Sequence, residues 1–268
     1  MTAIAATPIA PRKRASLNRV IGDSMAMAGR NLTVIWRTPQ LLVFSAIQPI
    51  LFVLMFTYVF GGAISVPGIP YVDYLMPGVF VQVVTFGSVN TGIGLAEDLH
   101  AGIIERFRSL PMARSAVLTG RTVSDLVRNV IVVLLMTAVG FTVGFRIHTN
   151  VLAFTAALLI LLLFSFALSW LFVIVGLRAP NAETAQAMSF PVLLPLVFAS
   201  SAFVPVSTMP QWLQVFAEHQ PVTATVNAVR ALTIGGPTTT YVLTALAWSI
   251  GMIIAFAPAG VRTYRTVK

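Results

Sequence analysis

The sequence predicts an all-α polytopic membrane protein with six transmembrane helices and both termini cytoplasmic. An amphipathic interfacial helix precedes the first span, and short re-entrant helices lie between spans five and six. Three observations carry this reading. Six stretches contain no Asp, Glu, Lys or Arg: 41–61, 74–95, 129–145, 151–177, 184–204 and 241–261. Charged residues make up 9% of the chain against 57% hydrophobic, where a soluble domain carries about a quarter charged. Finally, 15 of the 17 Lys and Arg residues sit in alternate connecting segments.

A helix needs about 20 apolar residues to cross the hydrocarbon core, and five of the stretches are that long. The stretch 129–145 is shorter, but Arg128 and Arg146 can snorkel from its two ends. The alternating segments of about ten residues that mark an outer-membrane barrel are absent. The basic residues lie before the first span, in 96–128, at Arg178 and in the tail, and the opposite side keeps only Arg146 and Arg230. The positive-inside rule therefore places both termini in the cytoplasm. The net charge of +9 reads as a topology signal with some attraction to anionic membrane lipids. Basic residues dispersed along membrane-bordering loops do not predict nucleic-acid binding.

Residues 1–40 form the cytoplasmic N-terminus. Its first 19 residues are polar and basic, so no cleavable signal peptide is expected. At 100° per residue, Arg19, Arg30 and Arg37 share one face with Asp23, opposite Leu17, Ile21, Ala28, Leu32 and Ile35. That pattern predicts a helix lying along the membrane surface. The first span (41–61) carries Gln48-Pro49, where a proline usually kinks a helix. The second (74–95) is the most polar, with Gln82, Thr85, Ser88 and Thr91 in an i, i+3 row beside Asn90. Helix-to-helix hydrogen bonding explains such a row, and Gln48, Gln82, Thr85 and Asn90 are also candidates for a substrate path. The third (129–145) holds Gly140 and Gly144 at a spacing that permits close helix approach. The fourth (151–177) is almost wholly aliphatic and aromatic. The fifth (184–204) has Pro191 and Pro195 and should bend or break. Between it and the sixth (241–261) lies an outer region, 205–240. There Thr208-Met209-Pro210 reads as a capped helix start. Trp212 suits the membrane interface, and a second short helix after Pro221 includes Arg230.

Segment 96–128 is longer and more charged than an ordinary turn between helices needs. Its core, Glu105 to Arg114, alternates charge around Phe107 and Leu110 and breaks at Pro111. A solvated loop and a docking site for a cytosolic partner both fit it.

Little in the chain performs chemistry. Zero cysteines excludes disulfides and thiolate metal sites, and His100, His148 and His219 fall in separate loops. No cofactor or metal site is expected. The glycine-rich G-x-x-x-x-G-K-[ST] run that holds nucleotide phosphates is missing, since the only lysines are Lys13 and Lys268. The spans also lack the intramembrane ionisable residues usual in ion-coupled carriers. Three functions remain: a permease driven by an external ATPase, an ion-coupled secondary transporter, and a non-transporting membrane scaffold.

The run ERFRSLPMARSAVLTGR at 105–121 resembles the cytoplasmic segment of type-2 ABC exporter permeases. The run FVPVSTMPQWLQVFAEHQPVTATVNAVRALTIGG at 203–236 resembles that family's outer re-entrant region. The MP-W-L, HQP and A-x-R-A-L elements are similar to the daunorubicin/doxorubicin-resistance branch. Many members have Asn-Pro where this chain has Gln220-Pro221. The resemblance implies a permease subunit in the plasma membrane that exports a lipophilic drug or lipid. It implies partners: a cytosolic P-loop ATPase in two copies, which binds ATP and magnesium, and a second permease chain, identical or homologous. It places Glu105, Arg106, Phe107, Arg108, Leu110 and Pro111 at the ATPase contact, flanked by the helix around Arg19–Arg37.

Overall fold

Hydrocarbon offers backbone amides no water to bond, so an apolar stretch must close its hydrogen bonds internally. The computed structural model describes residues 39–64, 66, 68–102 and 114–266, with Gly22, Met25, Ala26, Gly29, Thr33 and Arg37 before them. Among the described residues every regular element is helical. Helix α1 (Pro39–Leu54) continues into a π-helical turn at Met55–Phe60. Then come α2 (Tyr71–His100), α3 (Arg114–Val143), α4 (Val151–Arg178) and α5 (Ala182–Phe198). After a 3₁₀ turn at Val206–Thr208 follow α6 (Gln211–Glu218), α7 (Pro221–Ile234) and α8 (Thr238–Thr266). Four helices are long and apolar enough to cross a membrane: α2, the Leu118–Val143 part of α3, α4, and the Thr238–Tyr264 part of α8. Ala46–Phe60 and α5 are shorter apolar helices. Arg37 is helical and exposed, whereas Arg19 and Arg30 lie outside the described residues.

Helix α2 forms the centre. It packs on α3, α4, α5 and α7, and α4 is held between it and α8. The α2–α4 contact is close because glycines face each other. A Cβ at Gly92 would overlap the Phe172 carbonyl, and one at Gly176 would overlap the Gly92 carbonyl. Around that seam Val79, Phe80, Phe164, Leu168 and Phe172 are fully buried. The apolar surface left uncovered, including Leu51 on α1, Tyr58 and Val59 in the π turn, and Leu243 and Ile254 on α8, matches what a lipid-facing helix presents.

Several elements differ from their sequence expectation, each for a physical reason. Helix α3 extends well before residue 129, because its early charged and polar residues find partners on α2. Neither Pro191 nor Pro195 breaks α5, which ends instead at Phe198, short of residue 204. Helix α1 runs through Pro49, and its irregularity appears in the π turn beyond. Gly140 packs against Met76 of α2, but Gly144 (φ +107°) ends α3 rather than extending a helix interface. Thr208 does not cap α6. Its hydroxyl donates to the Pro205 carbonyl at 2.7 Å, closing the 3₁₀ turn, and Pro210 stands just before the helix.

The chain reverses after α5, and Gln220 ties that reversal together. Its Nε2 donates to the Leu196 and Ala199 carbonyls, both at 2.9 Å, which α5 leaves unpaired at its end. Its Oε1 accepts from the Val222 amide at 3.3 Å, capping α7 ahead of Pro221. One side chain thus serves two helix ends. Gln220→Ala is expected to cost about 2 kcal/mol from two hydrogen bonds and a cap, read as a lowered thermal midpoint in detergent. An unchanged midpoint would show that the amide does not hold this junction.

Candidate functional site

A half-open cavity of about 520 Å³ lies between α1, α2, α3 and α5. Its apolar wall includes Pro49, Phe86, Ile93, Val132, Phe190 and Leu193. Its polar wall includes Gln48, Gln82, Asn90, Glu97, Asn129 and Gln186, with Arg121 and Arg128 towards one end. Helix α2 supplies more of the lining than any other helix because residues 82, 86, 90, 93 and 97 recur at helical spacing and share one stripe.

The polar row of α2 divides into three kinds of side chain. Gln82 faces the cavity wall, as do Asn90 and, from α1, Gln48. Thr85 does not, since it is buried and its hydroxyl donates to the Val81 carbonyl of its own helix at 2.6 Å. Ser88 and Thr91 bond across helices. Ser88 Oγ lies 2.7 Å from the Val84 carbonyl of its own helix and 3.1 Å from the Ser165 carbonyl across the contact, and Ser165 Oγ accepts from Asn129 Nδ2 at 2.7 Å. Thr91 Oγ1 donates to Asp125 Oδ2 of α3 at 2.5 Å. The i, i+3 row therefore combines both roles considered for it, residue by residue.

One ion pair joins α2 to α3 at the cavity's charged end, and a second lies within α3. Asp98 Oδ2 pairs with Arg121 Nη1 at 2.5 Å, and Asp125 Oδ1 with Arg128 Nη1 at 3.2 Å. Arg128 Nη2 also donates to the Gly87 carbonyl at 2.7 Å, which satisfies a second part of its fork. The Arg121 guanidinium packs against Gly94, where a Cβ would overlap it. Sequence reasoning placed these residues in a loop and missed the cluster. The signals were Asp125 and Arg128 at i, i+3, and the absence of glycine or proline from 95 to 100 that would stop α2 at the end of its charge-free stretch.

At the other end of α2, the turn at 201–203 and α7 pack against it. Tyr71 and Tyr74, in the first turn of α2, donate to the carbonyls of Phe203 (2.9 Å) and Ser201 (3.1 Å). Arg230 of α7 stacks on the Tyr74 ring, 3.7 Å from its centroid, and donates from Nη2 to the Ser201 carbonyl at 2.8 Å. It has no carboxylate partner among the described residues, so ring and carbonyl oxygens alone receive its charge. Phe52 packs tilted on Phe198 and Phe56 stacks on Phe203, tying α1 and its π turn to the same region. Asp73 is buried beside it. Its Oδ1 accepts the Arg146 amide at 2.9 Å, and its Oδ2 lies 2.8 Å from His148 Nε2, so His148 is more than a plain loop residue. Pro210, just before α6, and Trp212 on it sit apart, and Trp212 is 75% exposed beside Val215 and Phe216. Pro221 is buried at the start of α7.

The ABC-2 type transporter family matches residues 24–234. The chain belongs to that family. Among its relatives, the daunorubicin resistance ABC transporter permease protein DrrB1 of Streptomyces coeruleorubidus is 35% identical over 267 residues, covering 97% of this chain and 94% of that protein. The "Probable doxorubicin resistance ABC transporter permease protein DrrC" of Mycobacterium tuberculosis is 25% identical over 239 residues, covering 88% and 86%. The ABC-2 match includes every residue of the cavity wall and ends where α7 ends, before α8. It also includes Glu105, Arg106, Phe107, Arg108, Leu110 and Pro111, which lie outside the described residues. What the structure supplies is their frame. The segment leaves α2 just beyond Asp98 and enters α3 a little before Arg121, so the Asp98–Arg121 pair clamps its two ends together. As an ABC-2 transporter built of long apolar helices, the protein is a multi-pass membrane protein.

Proposed function

We propose that the chain is the permease subunit of an ATP-driven exporter carrying a lipophilic drug or lipid outward across the plasma membrane. The observation that carries this reading is the position of the cavity. It is of ligand size, since small-molecule pockets run to about 300–1,000 Å³, and mostly apolar. It stands directly above the ion-paired ends of segment 103–113. Its relatives' names, which speak of drug-resistance permeases, favour the same direction and class of cargo.

In this reading α1 to α5 and α8 form six spans with both termini cytoplasmic, and α6 and α7 re-enter from outside. The amphipathic helix around Arg19, Arg30 and Arg37 rests on the inner surface near the ATPase. A second permease, identical or homologous, covers the exposed flanks of α1 and α5 and completes the half-open cavity. Two ATPase subunits bind ATP and magnesium and press on residues 105–111. Their closure rocks the halves, closing the mouth near Glu97 and releasing the seal around Tyr74 and Arg230. The lining residues Gln48, Gln82 and Asn90 meet the cargo; Thr85, turned into its own helix, does not.

Purification from the native host is expected to yield a P-loop ATPase whose turnover depends on this chain. Glu105→Ala and Arg108→Ala are expected to reduce both co-purification and transport several-fold. Unchanged recovery and transport in both variants would sink the coupling assignment. Transport that persists without any ATPase would return the chain to the ion-coupled class.

A further inference from the structure

Helix α8 is the least buried of the four long apolar helices, and it carries two open grooves. The one nearer its start, of about 510 Å³, is lined by Leu243, Thr244, Ala247 and Trp248 and contains no charge. The one nearer its end, of about 630 Å³, runs beside Trp170 of α4, along Ile254, Ala257 and Val261 to Arg262. The two helices meet there where Gly260 packs on the Trp170 ring, a Cβ at Gly260 lying 3.2 Å from the nearest ring carbon. Arg262 is exposed and has no carboxylate or hydrogen-bond partner among the described residues. Neither α4 nor α8 contains an Asp or Glu that could supply one. Depth matters as well. The charge-free stretch 241–261 is about 32 Å long at 1.5 Å per residue, close to the roughly 30 Å of a hydrocarbon core. Arg262 follows it directly, so it stands where acyl chains end and headgroups begin.

We propose that this second groove holds one anionic phospholipid of the inner leaflet. An acyl chain lies along Ile254, Ala257 and Val261, and the headgroup phosphate meets the Arg262 guanidinium. The apolar wall accepts the chain, and the planar guanidinium fork matches the oxygens of a phosphodiester. A zwitterionic lipid brings its own cation to that phosphate, so an arginine without a partner favours the anionic lipid. The choice of leaflet rests on the orientation proposed above, whereas the site itself does not.

Each groove holds a tryptophan, so lipid contact can be read as fluorescence quenching by brominated acyl chains. One reporter chain carries Trp36→Phe, Trp212→Phe and Trp248→Phe, leaving Trp170. The other carries Trp36→Phe, Trp170→Phe and Trp212→Phe, leaving Trp248 beside the uncharged groove. Brominated phosphatidylglycerol and brominated phosphatidylcholine are titrated separately into uncharged detergent micelles that hold the purified chain. Trp170 is expected to reach half-quenching at about a fivefold lower mole fraction of the glycerol lipid, the attraction of one cation near an anionic headgroup. Trp248 is expected to show no preference. Arg262→Gln alters an exposed, unpaired side chain and is expected to abolish the preference at Trp170. Equal quenching of Trp170 by the two lipids would overturn the proposal, and so would an Arg262→Gln chain that keeps its preference. The same preference at Trp248 would overturn it too, by showing a general attraction of the basic chain. Quenching of Trp170 by neither lipid would show that the groove is covered by something other than lipid. None of these results bears on the permease reading, because the cavity lies among α1, α2, α3 and α5. Nor do they bear on orientation, because a micelle has no inner and outer face.

Discussion

Asp125→Ala is expected to destabilise the protein by about 3–5 kcal/mol, the usual cost of breaking a buried ion pair from one side. Asp125 and Arg128 side chains are 9% and 14% exposed, so little water is available to replace a lost partner. Removing the carboxylate strands the Arg128 guanidinium on the cavity wall and leaves the Thr91 hydroxyl without its acceptor. Arg128 keeps its bond to the Gly87 carbonyl, which places the loss towards the lower end of that range. The loss is measured as a fall in the thermal midpoint of the detergent-solubilised chain. The double change Asp125→Leu with Arg128→Met removes both charges and is expected to recover most of it, since an apolar pair of similar volume needs no partner. If the single and double variants fall equally, the stranded Arg128 charge is not the source of the loss.

The second large effect is expected at the α2–α4 seam. Gly92→Ala adds one methyl group and would ordinarily favour a helix by about 1 kcal/mol. Here the new Cβ would overlap the Phe172 carbonyl, which is backbone and cannot rotate away. The helices must part, separating the buried contacts of Phe164, Leu168 and Phe172, and the net loss should reach about 3 kcal/mol. Gly251→Ala on α8 is the control, because a Cβ there meets nothing within 4 Å. It should be neutral or slightly stabilising. A Gly92→Ala chain as stable as the Gly251→Ala chain would show that the close approach is not needed.

Sequence patterning located the helices well and their ends poorly, for one reason. Absence of charge marks where a side chain would have to face lipid, whereas a helix continues for as long as its backbone bonds are made and its side chains find partners. Glu97 and Asp98 lie past the charge-free stretch of α2, and Arg121, Asp125 and Arg128 precede that of α3. All five are helical, and the two ends lie side by side: Asp98 pairs with Arg121, Asp125 accepts from Thr91, and Arg128 donates to the Gly87 carbonyl. Gln48, Gln82 and Asn90 stood out as polar groups in apolar stretches, but their convergence on one cavity is tertiary, and no single-helix pattern contains it. Thr85 shows the limit from the other side. A hydroxyl can bond its own i−4 carbonyl and need no partner, so its place in a polar row carried no information about the path. Arg230 was visible as an isolated charge on the outer side. Its answer, an aromatic face and carbonyl oxygens in place of a carboxylate, depends on a turn more than 20 residues earlier in the chain.

Helix α2 is unbroken over 30 residues, about 45 Å at 1.5 Å per residue. Asp98 at one end grips α3, and Tyr71 and Tyr74 at the other grip the turn at 201–203. It is therefore a connecting rod with a coupling at each end, and a rod of this kind cannot shorten. A displacement of a few ångströms imposed at the Asp98 end must either arrive at the tyrosine end or bend the helix between. The permease needs no relay of side chains to link its two faces, because a single piece of backbone already reaches both.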